Sequence, residues 1–363
     1  MKIVSIETGE VNIPLCTPFK TSLRTVESVN DIVVRILTDQ GAVGYGEAPP
    51  TAVITGDTKG SVLCAVRDFI APSLIGMEIE NLDGIMKKLN GCILKNTSAK
   101  AAVDMAVYDL FAQSCQKPLY RLLGGNRSQI ETDLTISVNE IPEMVSDSLK
   151  AVADGFRILK IKAGKEAAKD IDRIREIRRA VGEKIKLRID ANQGWTPKEA
   201  VRIITALEDM GIEMDLVEQP VKAHDFEGMK FVTASVSTPI LADESVFSCQ
   251  DAIRLITERG ADLINIKLMK TGGIYNALKI CAVAEEYGVE CMIGCMLESK
   301  IAVSAAAHLA AAKGIITRAD LDGPSLCRED PCEGGPVFEG SRITMNESGG
   351  LGITKVPGFV PGF

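Results

Sequence analysis

Histidine and paired cysteine motifs are scarce in this sequence. Its 363 residues include only 2 histidines, which argues against a zinc site of the usual His and Cys type. The 10 cysteines show no C-x-x-C spacing, and the closest pairs are Cys291/Cys295 and Cys327/Cys332. We therefore expect reduced thiols, most of them buried as small apolar side chains, in a cytoplasmic protein.

Segments typical of secretion, membrane insertion or nucleic-acid binding are also missing. Residues 1–4 lead straight into an alternating strand pattern, without the apolar core of a signal peptide. The most apolar helical stretch, residues 303–312, is too short to span a bilayer and contains His308. The net charge of −8 and the lack of any basic run argue against a nucleic-acid partner. We expect a protein that binds neither membranes nor nucleic acid.

What the sequence does contain is an N-terminal third typical of an α+β domain. Residues 31–38 alternate between apolar and polar, residues 39–41 form a turn, and residues 42–47 return as the hairpin partner. Ser98 is expected to cap a following helix, whose apolar residues keep helical spacing. Strands followed by helices predict a separate domain over residues 1–125.

The remaining sequence repeats one unit of strand plus helix. Short apolar segments recur near residues 134, 160, 188, 217, 242, 265, 293 and 318. Amphipathic stretches lie between them, and Thr196 with Glu199 forms a capping box ahead of one such helix. Eight units predict a parallel (β/α)8-type barrel over residues 126–323. Residues 324–363 are rich in Gly and Pro and show no full eighth helix, so we expect this segment to pack back on the N-terminal domain.

Three carboxylates stand at the ends of consecutive apolar segments. Asp190, Glu218 and Asp243 end the third, fourth and fifth segments of the repeat. Because the active site of a parallel barrel forms at the C-terminal ends of its strands, their oxygens are expected to converge. An all-oxygen, carboxylate-rich set suits Mg²⁺ or Mn²⁺. The sequence therefore predicts a site for one hard divalent cation.

Two lysines flank the three acids in the same repeat. Lys162 ends the second segment and Lys267 the sixth, so their amines are expected to face each other across the barrel mouth. A nearby cation and partial burial lower the pKa of a lysine, so one lysine can take a proton while the other donates one. Proton exchange at a carbon acidified by a chelated carboxylate gives epimerisation or racemisation. Lys160 shares the inward face with Lys162 and is a candidate contact for a substrate carboxylate.

The same residues could instead form ordinary ion pairs at the barrel rim. Exposed ion pairs are common, and this interpretation is open for any one of the five side chains. The coincidence of three acids and two lysines at one predicted edge favours a functional site. Glu298 and Lys300, after the seventh segment, are interpreted as residues of a helix start or of the rim.

Short motifs at these positions are similar to those of a known family. The motifs are Lys160-Ile-Lys162, Asp190-Ala-Asn192, Glu218-Gln-Pro220, Asp243-Glu-Ser245 and Lys267. They resemble the muconate-lactonizing-enzyme subgroup of the enolase superfamily, as do residues 44–47, 102–110 and 118–125 of the N-terminal third. The resemblance implies an α/β fold: a modified (β/α)7β TIM-type barrel with an α+β capping domain built from the N-terminal segment and the C-terminal tail. It also implies Mg²⁺ at the three acids and the two flanking lysines as the acid–base pair.

The eighth segment helps to separate the reactions of this subgroup. Asp320-Leu-Asp322 places two carboxylates on one strand face, and such a pair suits a free α-ammonium group. The pair resembles the Asp-x-Asp motif of dipeptide epimerases, and a solvated turn before Gly323-Pro324 is the alternative interpretation. By the same resemblance, Thr135, Lys160 and Cys295 would line the substrate site.

Two N-terminal loops resemble the specificity loops of those epimerases. Residues 18–25 and 49–57 are the matching segments, and Arg24 would pair with an acidic side chain on the second residue of a dipeptide. Similar loops occur in relatives that prefer hydrophobic dipeptides, where an arginine could simply be exposed. The resemblance thus implies a Mg²⁺-dependent epimerase of L-Ala-L/D-Glu or a similar dipeptide, which would rework cell-wall peptides. We expect a homo-oligomer.

Other functions stay open on the sequence alone. One is a different reaction of the subgroup, N-acylamino-acid racemisation or muconate cycloisomerisation. A second is a metal-independent Schiff-base lyase, since a barrel lysine can condense with a carbonyl. The third is a barrel that binds or supports other molecules without catalysis.

Overall fold

The computed structural model describes residues 1–21 and 24–362, and within them no helix is long and apolar enough to cross a membrane. The strands are β1 Ile3–Lys20, β2 Thr25–Thr38, β3 Val43–Ala48, β4 Gln129–Glu131, β5 Leu134–Ile136, β6 Ile158–Lys162, β7 Lys186–Asp190, β8 Leu216–Glu218, β9 Ile240–Ala242, β10 Leu263–Lys267, β11 Cys291–Gly294, β12 Ile316–Asp320, β13 Glu333–Gly334, β14 Val337–Glu339, β15 Arg342–Thr344 and β16 Ile353–Lys355. The helices are α1 Lys59–Cys64, which continues through a π-helical stretch into α2 Ala71–Leu74, α3 Leu82–Gly91, α4 Thr97–Ser114, α5 Leu119–Leu122, α6 Ile141–Ala153, α7 Ala167–Val181, α8 Pro197–Asp209, α9 Phe226–Ser235, α10 Cys249–Thr257, α11 Leu268–Thr271, α12 Ile274–Tyr287, α13 Lys300–Ala312 and α14 Gly323–Leu326.

The N-terminal strands form an antiparallel sheet that packs on α4. The sheet order is β1-β2-β3, and the predicted hairpin over residues 31–47 is confirmed. Gly44 and Gly46 of β3 lie against the backbone of α4, where a Cβ would collide with the carbonyl oxygens of Ala106 and Ala102. These two glycines let β3 approach α4 directly, which fixes the position of the last residues of β3.

The start of α4 differs from its prediction. The prediction that Ser98 caps this helix is wrong, because Asn96 occupies the cap position with left-handed dihedral angles and Ser98 lies in the first turn. The Ser98 backbone nitrogen donates a hydrogen bond of 3.1 Å to Asp57 Oδ2. A carboxylate from the loop 49–57 therefore satisfies the helix start in place of the predicted hydroxyl.

The eight strands β5 to β12 form the predicted parallel barrel. Each predicted apolar segment coincides with one strand, and the strands follow one another in sequence order around the sheet. A 3.4 Å hydrogen bond from Asp133 N to Ala319 O links the last strand to the first. The capping box of Thr196 and Glu199 at α8 is confirmed. After β12, the one helix within the described residues up to 362 is the four-residue α14, so the loss of the eighth helix and the modified (β/α)7β barrel are confirmed.

Towards its C-terminal mouth, the barrel interior changes from an apolar layer to a cluster of charged side chains. Leu216, Leu241, Leu263 and Met292 come from four neighbouring strands and form a buried apolar layer near the N-terminal strand ends. At the C-terminal strand ends the inward residues are mostly acids and lysines. Because burying charge is costly, this change identifies the C-terminal mouth as the region shaped by function.

The C-terminal segment runs from the barrel back to the N-terminal domain. β15 pairs with β4, which directly precedes the first barrel strand, and the chain then reaches the N-terminal helices and sheet. Leu119 N donates to Gly350 O at 2.8 Å, and Gly362 N donates to Thr8 O at 2.8 Å. The predicted domain boundaries at residues 125 and 323 stay predictions.

Candidate active site

Three carboxylates lie at the C-terminal ends of neighbouring barrel strands. Asp190 ends β7 and Glu218 ends β8, and these two residues pair directly across the sheet. Asp243 follows the last residue of β9. All three side chains are buried, the most exposed at 1%. Three acids so close together in a buried place require nearby cations.

Two lysines supply part of that positive charge from opposite sides. Lys162 ends β6, and its Nζ lies 2.6 Å from Asp190 Oδ2. Lys267 ends β10, and its Nζ lies 2.7 Å from Asp243 Oδ2. The strands of the three acids lie between β6 and β10 in the sheet. The two amines therefore approach the mouth from two sides, which is the arrangement that two-sided proton exchange requires.

Lys160 lies at the centre of the carboxylates. Its Nζ is 2.6 Å from Asp320 Oδ2, 2.8 Å from Glu218 Oε2 and 3.1 Å from Asp190 Oδ2. Burial alone would lower the pKa of Lys160, but these carboxylates outweigh burial and hold the pKa well above its usual value. Lys160 is thus a cation that links Asp190 and Glu218 to Asp320 on the last strand.

The charges of the mouth shift one another's pKa values in opposite directions. Burial raises the pKa of Asp190, but its lysine neighbours, Lys162 above all, lower it to about 2. Burial and the charge of Asp190 raise the pKa of Glu218 to about 8. Burial lowers the pKa of Lys267, yet Asp243 and Glu218 outweigh burial and raise it. The expected lowering of a lysine pKa is therefore not seen at Lys267, because carboxylates surround its amine more closely than other cations do.

The chemistry of the donor atoms at the mouth fits a hard divalent cation. Asp190, Glu218 and Asp243 offer only carboxylate oxygens, the ligands that Mg²⁺ and Mn²⁺ prefer. Glu218 Oε2 is buried beside the Lys160 amine but accepts no hydrogen bond of good geometry from the part of the chain that the structure describes, so it is open to a further cation. Among residues 1–21 and 24–362, no three acidic, His or Cys side chains are grouped tightly enough to hold an ion as they stand. Asp190 and Asp243 each turn an oxygen to a lysine instead.

Two residues that the sequence did not single out orient the acids. Asn265 Nδ2 donates to Glu218 Oε1 at 2.7 Å. Lys270 Nζ lies 2.6 Å from Asp243 Oδ1 and 3.0 Å from Asn265 O. Both residues belong to the stretch of chain that carries Lys267. Strand alternation places Asn265 on the same face as Lys267 and could have identified it, whereas Lys270 lies in the one-turn helix α11 and gave no such signal.

The predicted substrate contacts line one cavity together with both lysines. They are Arg24, Thr135, Lys160, Cys295, Asp320 and Asp322. Phe19, Val53 and Ile54, from the two predicted specificity loops, line the same cavity. Ser22 and Leu23 of the first loop lie outside the described residues. The cavity therefore lies between the barrel mouth and the N-terminal domain.

The last strand contributes a pair of acids to this cavity. Asp320 ends β12, and Asp322 lies two residues beyond it. Asp322 Oδ2 accepts a hydrogen bond of 2.7 Å from Thr135 N. Burial and the neighbouring charge of Asp320 raise the pKa of Asp322 to about 6. Two buried carboxylates this close favour a ligand that carries a positive group.

Arg24 enters the cavity from the N-terminal domain. Its backbone bonds to Thr21 in both directions, since Thr21 N donates to Arg24 O at 3.0 Å and Arg24 N donates to Thr21 Oγ1 at 3.2 Å. Burial lowers the pKa of the half-buried Arg24 guanidinium, and the charge of Asp31 opposes that effect. A guanidinium in this position can bind an acidic group.

Two family models together match most of the chain. The model for the mandelate racemase / muconate lactonizing enzyme N-terminal domain matches residues 3–124. The model described as enolase C-terminal domain-like matches residues 143–356. Residues 125–142 lie between the two matches and include β4 and β5.

Curated relatives and solved structures are similar over nearly their whole length. An L-Ala-D/L-Glu epimerase of Clostridium acetobutylicum is 56% identical, covering 98% of this chain and 99% of its own. The solved substrate-liganded complex of the L-Ala-D/L-Glu epimerase from Bacillus subtilis has a TM-score of 0.96 at 51% identity, covering 97% of this chain and 99% of that one. A dipeptide epimerase from Enterococcus faecalis, solved with Mg and L-Leu-L-Tyr, has a TM-score of 0.95 at 45% identity, covering 98% and 100%.

Proposed function

The chain belongs to the mandelate racemase / muconate lactonizing enzyme family, and we propose that it is a Mg²⁺-dependent dipeptide epimerase. Its substrate would be a dipeptide such as L-Ala-L-Glu or L-Ala-D-Glu, inverted at the α-carbon of the second residue. One observation carries the proposal: the two lysines and the pair Asp320 and Asp322 line the same cavity. The lysines suit removal and return of a proton, and the paired acids suit a free ammonium group.

Asp190, Glu218 and Asp243 would hold the cation. Bound there, Mg²⁺ would draw charge from a substrate carboxylate and so acidify the adjacent α-carbon. Asn265 and Lys270 keep the carboxylates of Glu218 and Asp243 in place through the contacts described above. Solved relatives that contain both Mg and a dipeptide support this assignment.

Lys162 and Lys267 would exchange the α-proton from opposite faces. In one direction the amine of Lys162 takes the proton from the α-carbon, and the ammonium of Lys267 returns a proton to the other face, giving the opposite configuration. In the reverse direction the two lysines exchange roles. Lys160, with its raised pKa, would remain charged beside the substrate carboxylate, where negative charge builds up as the α-proton is removed.

The two ends of the dipeptide would be recognised by different parts of the cavity. Asp320 and Asp322 would bind the N-terminal ammonium, with Thr135 and Cys295 lining that part of the site. Arg24 would bind an acidic side chain on the second residue.

A hydrophobic second residue is the alternative specificity. Phe19, Val53 and Ile54 add apolar side chains to the lining of the cavity that Arg24 also lines. The hydrophobic dipeptide epimerase of Enterococcus faecalis, 46% identical over 98% of this chain and 100% of its own, supports this second candidate.

A dipeptide library in D₂O tests the proposed function. The protein is incubated with Mg²⁺ and each dipeptide, and deuterium uptake is followed by mass spectrometry. We expect deuterium at the α-carbon of the second residue, with Ala-Glu or a hydrophobic dipeptide exchanging fastest. N-acetylated copies of the best dipeptides serve as controls and should exchange far more slowly, because they lack the ammonium group.

Two results would contradict the proposal. Equal or faster exchange of the acetylated copies would favour an N-acylamino-acid racemase. Full activity after exhaustive chelation, with substrate trapped on the protein by borohydride, would favour a Schiff-base lyase.

We propose that the protein works in the cytoplasm on dipeptides released from the cell wall. All ten cysteines are free, and every one lies within the described residues, which supports a reducing compartment such as the cytoplasm. An Ala-Glu substrate would connect the enzyme with the reworking of cell-wall peptides. We also propose a homo-oligomer.

A further inference from the structure

Glu47, at the end of the hairpin in the N-terminal domain, binds a helix of the barrel. Its side chain is fully buried. Oε1 accepts a hydrogen bond of 3.0 Å from Ser299 N, and Oε2 accepts bonds of 2.9 Å from Ser299 Oγ and 2.8 Å from Ala302 N. Because α13 begins at Lys300, the carboxylate caps this helix from another domain.

The loop before α13 forms part of the substrate cavity. Cys295 and Met296 line the cavity, and the loop runs from them to Ser299 at the helix start. Glu298 Oε1 accepts a 3.0 Å bond from Met296 N, which gives the loop a defined shape. Glu47 thus holds the far end of a loop whose near end faces the substrate.

The same loop rests on the segment that carries the paired acids. Cys295 N donates to Asp320 O at 3.1 Å. A Cβ added to Gly323, the residue after Asp322, would lie 2.6 Å from Glu298 O, so loop and segment pack in close contact. A residue whose ammonium group is bound by Asp320 and Asp322 would therefore have this loop among its neighbours.

We propose that Glu47 is a positioning residue that sets the selectivity for the first residue of the dipeptide. Through Ser299 and the start of α13 it fixes how closely Cys295 and Met296 approach the first side chain. This inference rests on the proposed dipeptide epimerase function. Displacement of a cavity wall by a fraction of an ångström changes which side chains fit, because packed sites respond to a single methylene group.

Asp104 offers a matched control in the same molecule. It is also a buried carboxylate of the N-terminal domain, and it caps barrel helix α12, with Oδ1 2.6 Å from Ile274 N and Oδ2 3.2 Å from Tyr275 N. The residues just before α12 do not line the described part of the substrate cavity. Loss of Asp104 should therefore weaken domain docking in the same way without changing the cavity wall.

Selectivity ratios in three variants test the inference. Glu47→Gln, Ser299→Ala and Asp104→Asn are compared with wild type by kcat/KM for L-Ala-L-Glu and L-Leu-L-Glu, which differ in the first residue. The pair L-Ala-L-Glu and L-Ala-L-Val, which differs in the second residue, is measured alongside, as is Tm. We expect Glu47→Gln to change the first-residue ratio by about tenfold, and Ser299→Ala by less, while the second-residue ratio stays near wild type. Asp104→Asn should lower Tm like Glu47→Gln and leave both ratios unchanged.

The possible outcomes separate this inference from the proposed function. If wild type exchanges no dipeptide, the proposed function fails and the inference fails with it. If wild type is active but Glu47→Gln alters both ratios equally, or neither, Glu47 does not set the selectivity for the first residue and the inference is overturned. If Glu47→Gln does not fold, Ser299→Ala decides, since it removes only the two hydrogen bonds of Ser299 Oγ, to Glu47 Oε2 and from Ile301 N, and keeps the carboxylate. An unchanged first-residue ratio there overturns the inference.

Discussion

The two ends of the barrel both bury charge, but they use different cations. At the mouth, Lys162 and Lys267 each contact a carboxylate of the proposed metal site. At the opposite end, Arg188 Nη1 lies 2.8 Å from Asp133 Oδ2, and its Nε lies 2.8 Å from Asp215 Oδ2. The same pairing of acid with base thus occurs twice, with lysine at one end and arginine at the other.

The choice of cation follows from what each end has to do. Arginine keeps its proton at all ordinary pH values, and its planar fork holds two acceptors in a fixed geometry. Arg188 also donates to Ala319 O at 2.9 Å, so its guanidinium is held by the surrounding structure. A lysine amine can lose and regain a proton and can turn between acceptors. We infer that the mouth exchanges protons and partners, whereas the opposite end keeps a fixed network.

Replacing either lysine of the mouth by arginine should have the largest effect on catalysis. Lys162→Arg and Lys267→Arg keep the charge and remove the exchangeable amine, so we expect kcat for epimerisation to fall about 10³-fold or more. Each variant should still exchange deuterium into the substrate epimer whose proton faces the remaining lysine. The measurement is turnover and deuterium uptake for both epimers of the best dipeptide.

A buried lysine outside the mouth serves as the control for these variants. Lys100 Nζ donates to Asn90 O at 3.0 Å in the N-terminal domain, and Lys100→Arg should leave kcat near wild type. Wild-type exchange of both epimers in either mouth variant would refute the two-lysine assignment.

Substitutions at the opposite end of the barrel should lower the free energy of unfolding and leave kcat near wild type. Arg188→Met leaves Asp133 and Asp215 short of a buried cation, and we expect the free energy of unfolding to fall by about 3–5 kcal/mol. Arg188→Lys keeps the charge and should lower the free energy of unfolding by less. Urea unfolding can be followed by the fluorescence of Trp195, the one tryptophan, which is 2% exposed. A loss of kcat in folded Arg188→Met without a loss of stability would show that the two ends are not separate.

Removing an uncharged side chain that orients a carboxylate of the proposed metal site should have a smaller effect, on the affinity for Mg²⁺. Asn265→Ala deletes the 2.7 Å hydrogen bond to Glu218 Oε1 without changing any charge. We expect the affinity for Mg²⁺ to fall about 10- to 100-fold, as for other residues that orient metal ligands. Isothermal titration with Mg²⁺ measures this directly. Asn90→Ala, in the N-terminal domain, is the control, and equal affinities in the two variants would remove Asn265 from the metal site.

Sequence reasoning succeeded where a local pattern carries the information. The eight strands were predictable because each apolar segment is short and recurs at a regular distance, and Asp190 was predictable because it ends such a segment. Contacts between distant residues had no such pattern. Glu47 meets Ser299 across more than two-thirds of the chain, and Asp57 replaces the predicted Ser98 cap. The raised pKa of Lys267 likewise depends on how close the carboxylates come, which only the folded structure gives.

The smallest expected effect is on the pH dependence of stability, and it comes from a buried histidine that is neutral where Arg188 is charged. His308 Nδ1 accepts a hydrogen bond of 3.1 Å from Tyr120 N, and burial lowers its pKa from 6.5 to about 4. The folded protein therefore keeps His308 neutral while the unfolded chain takes up a proton, so stability is full above pH 6.5 and falls as the pH drops towards 4. Between pH 7 and pH 6 this group should cost about 0.7 kcal/mol of unfolding free energy. His308→Asn keeps an acceptor for Tyr120 N and cannot titrate, so its urea midpoint should lose less over that pH step than that of wild type. Equal losses in the two proteins would mean that His308 takes up its proton in the folded protein as readily as in the unfolded chain, so that its burial does not exclude the charged form.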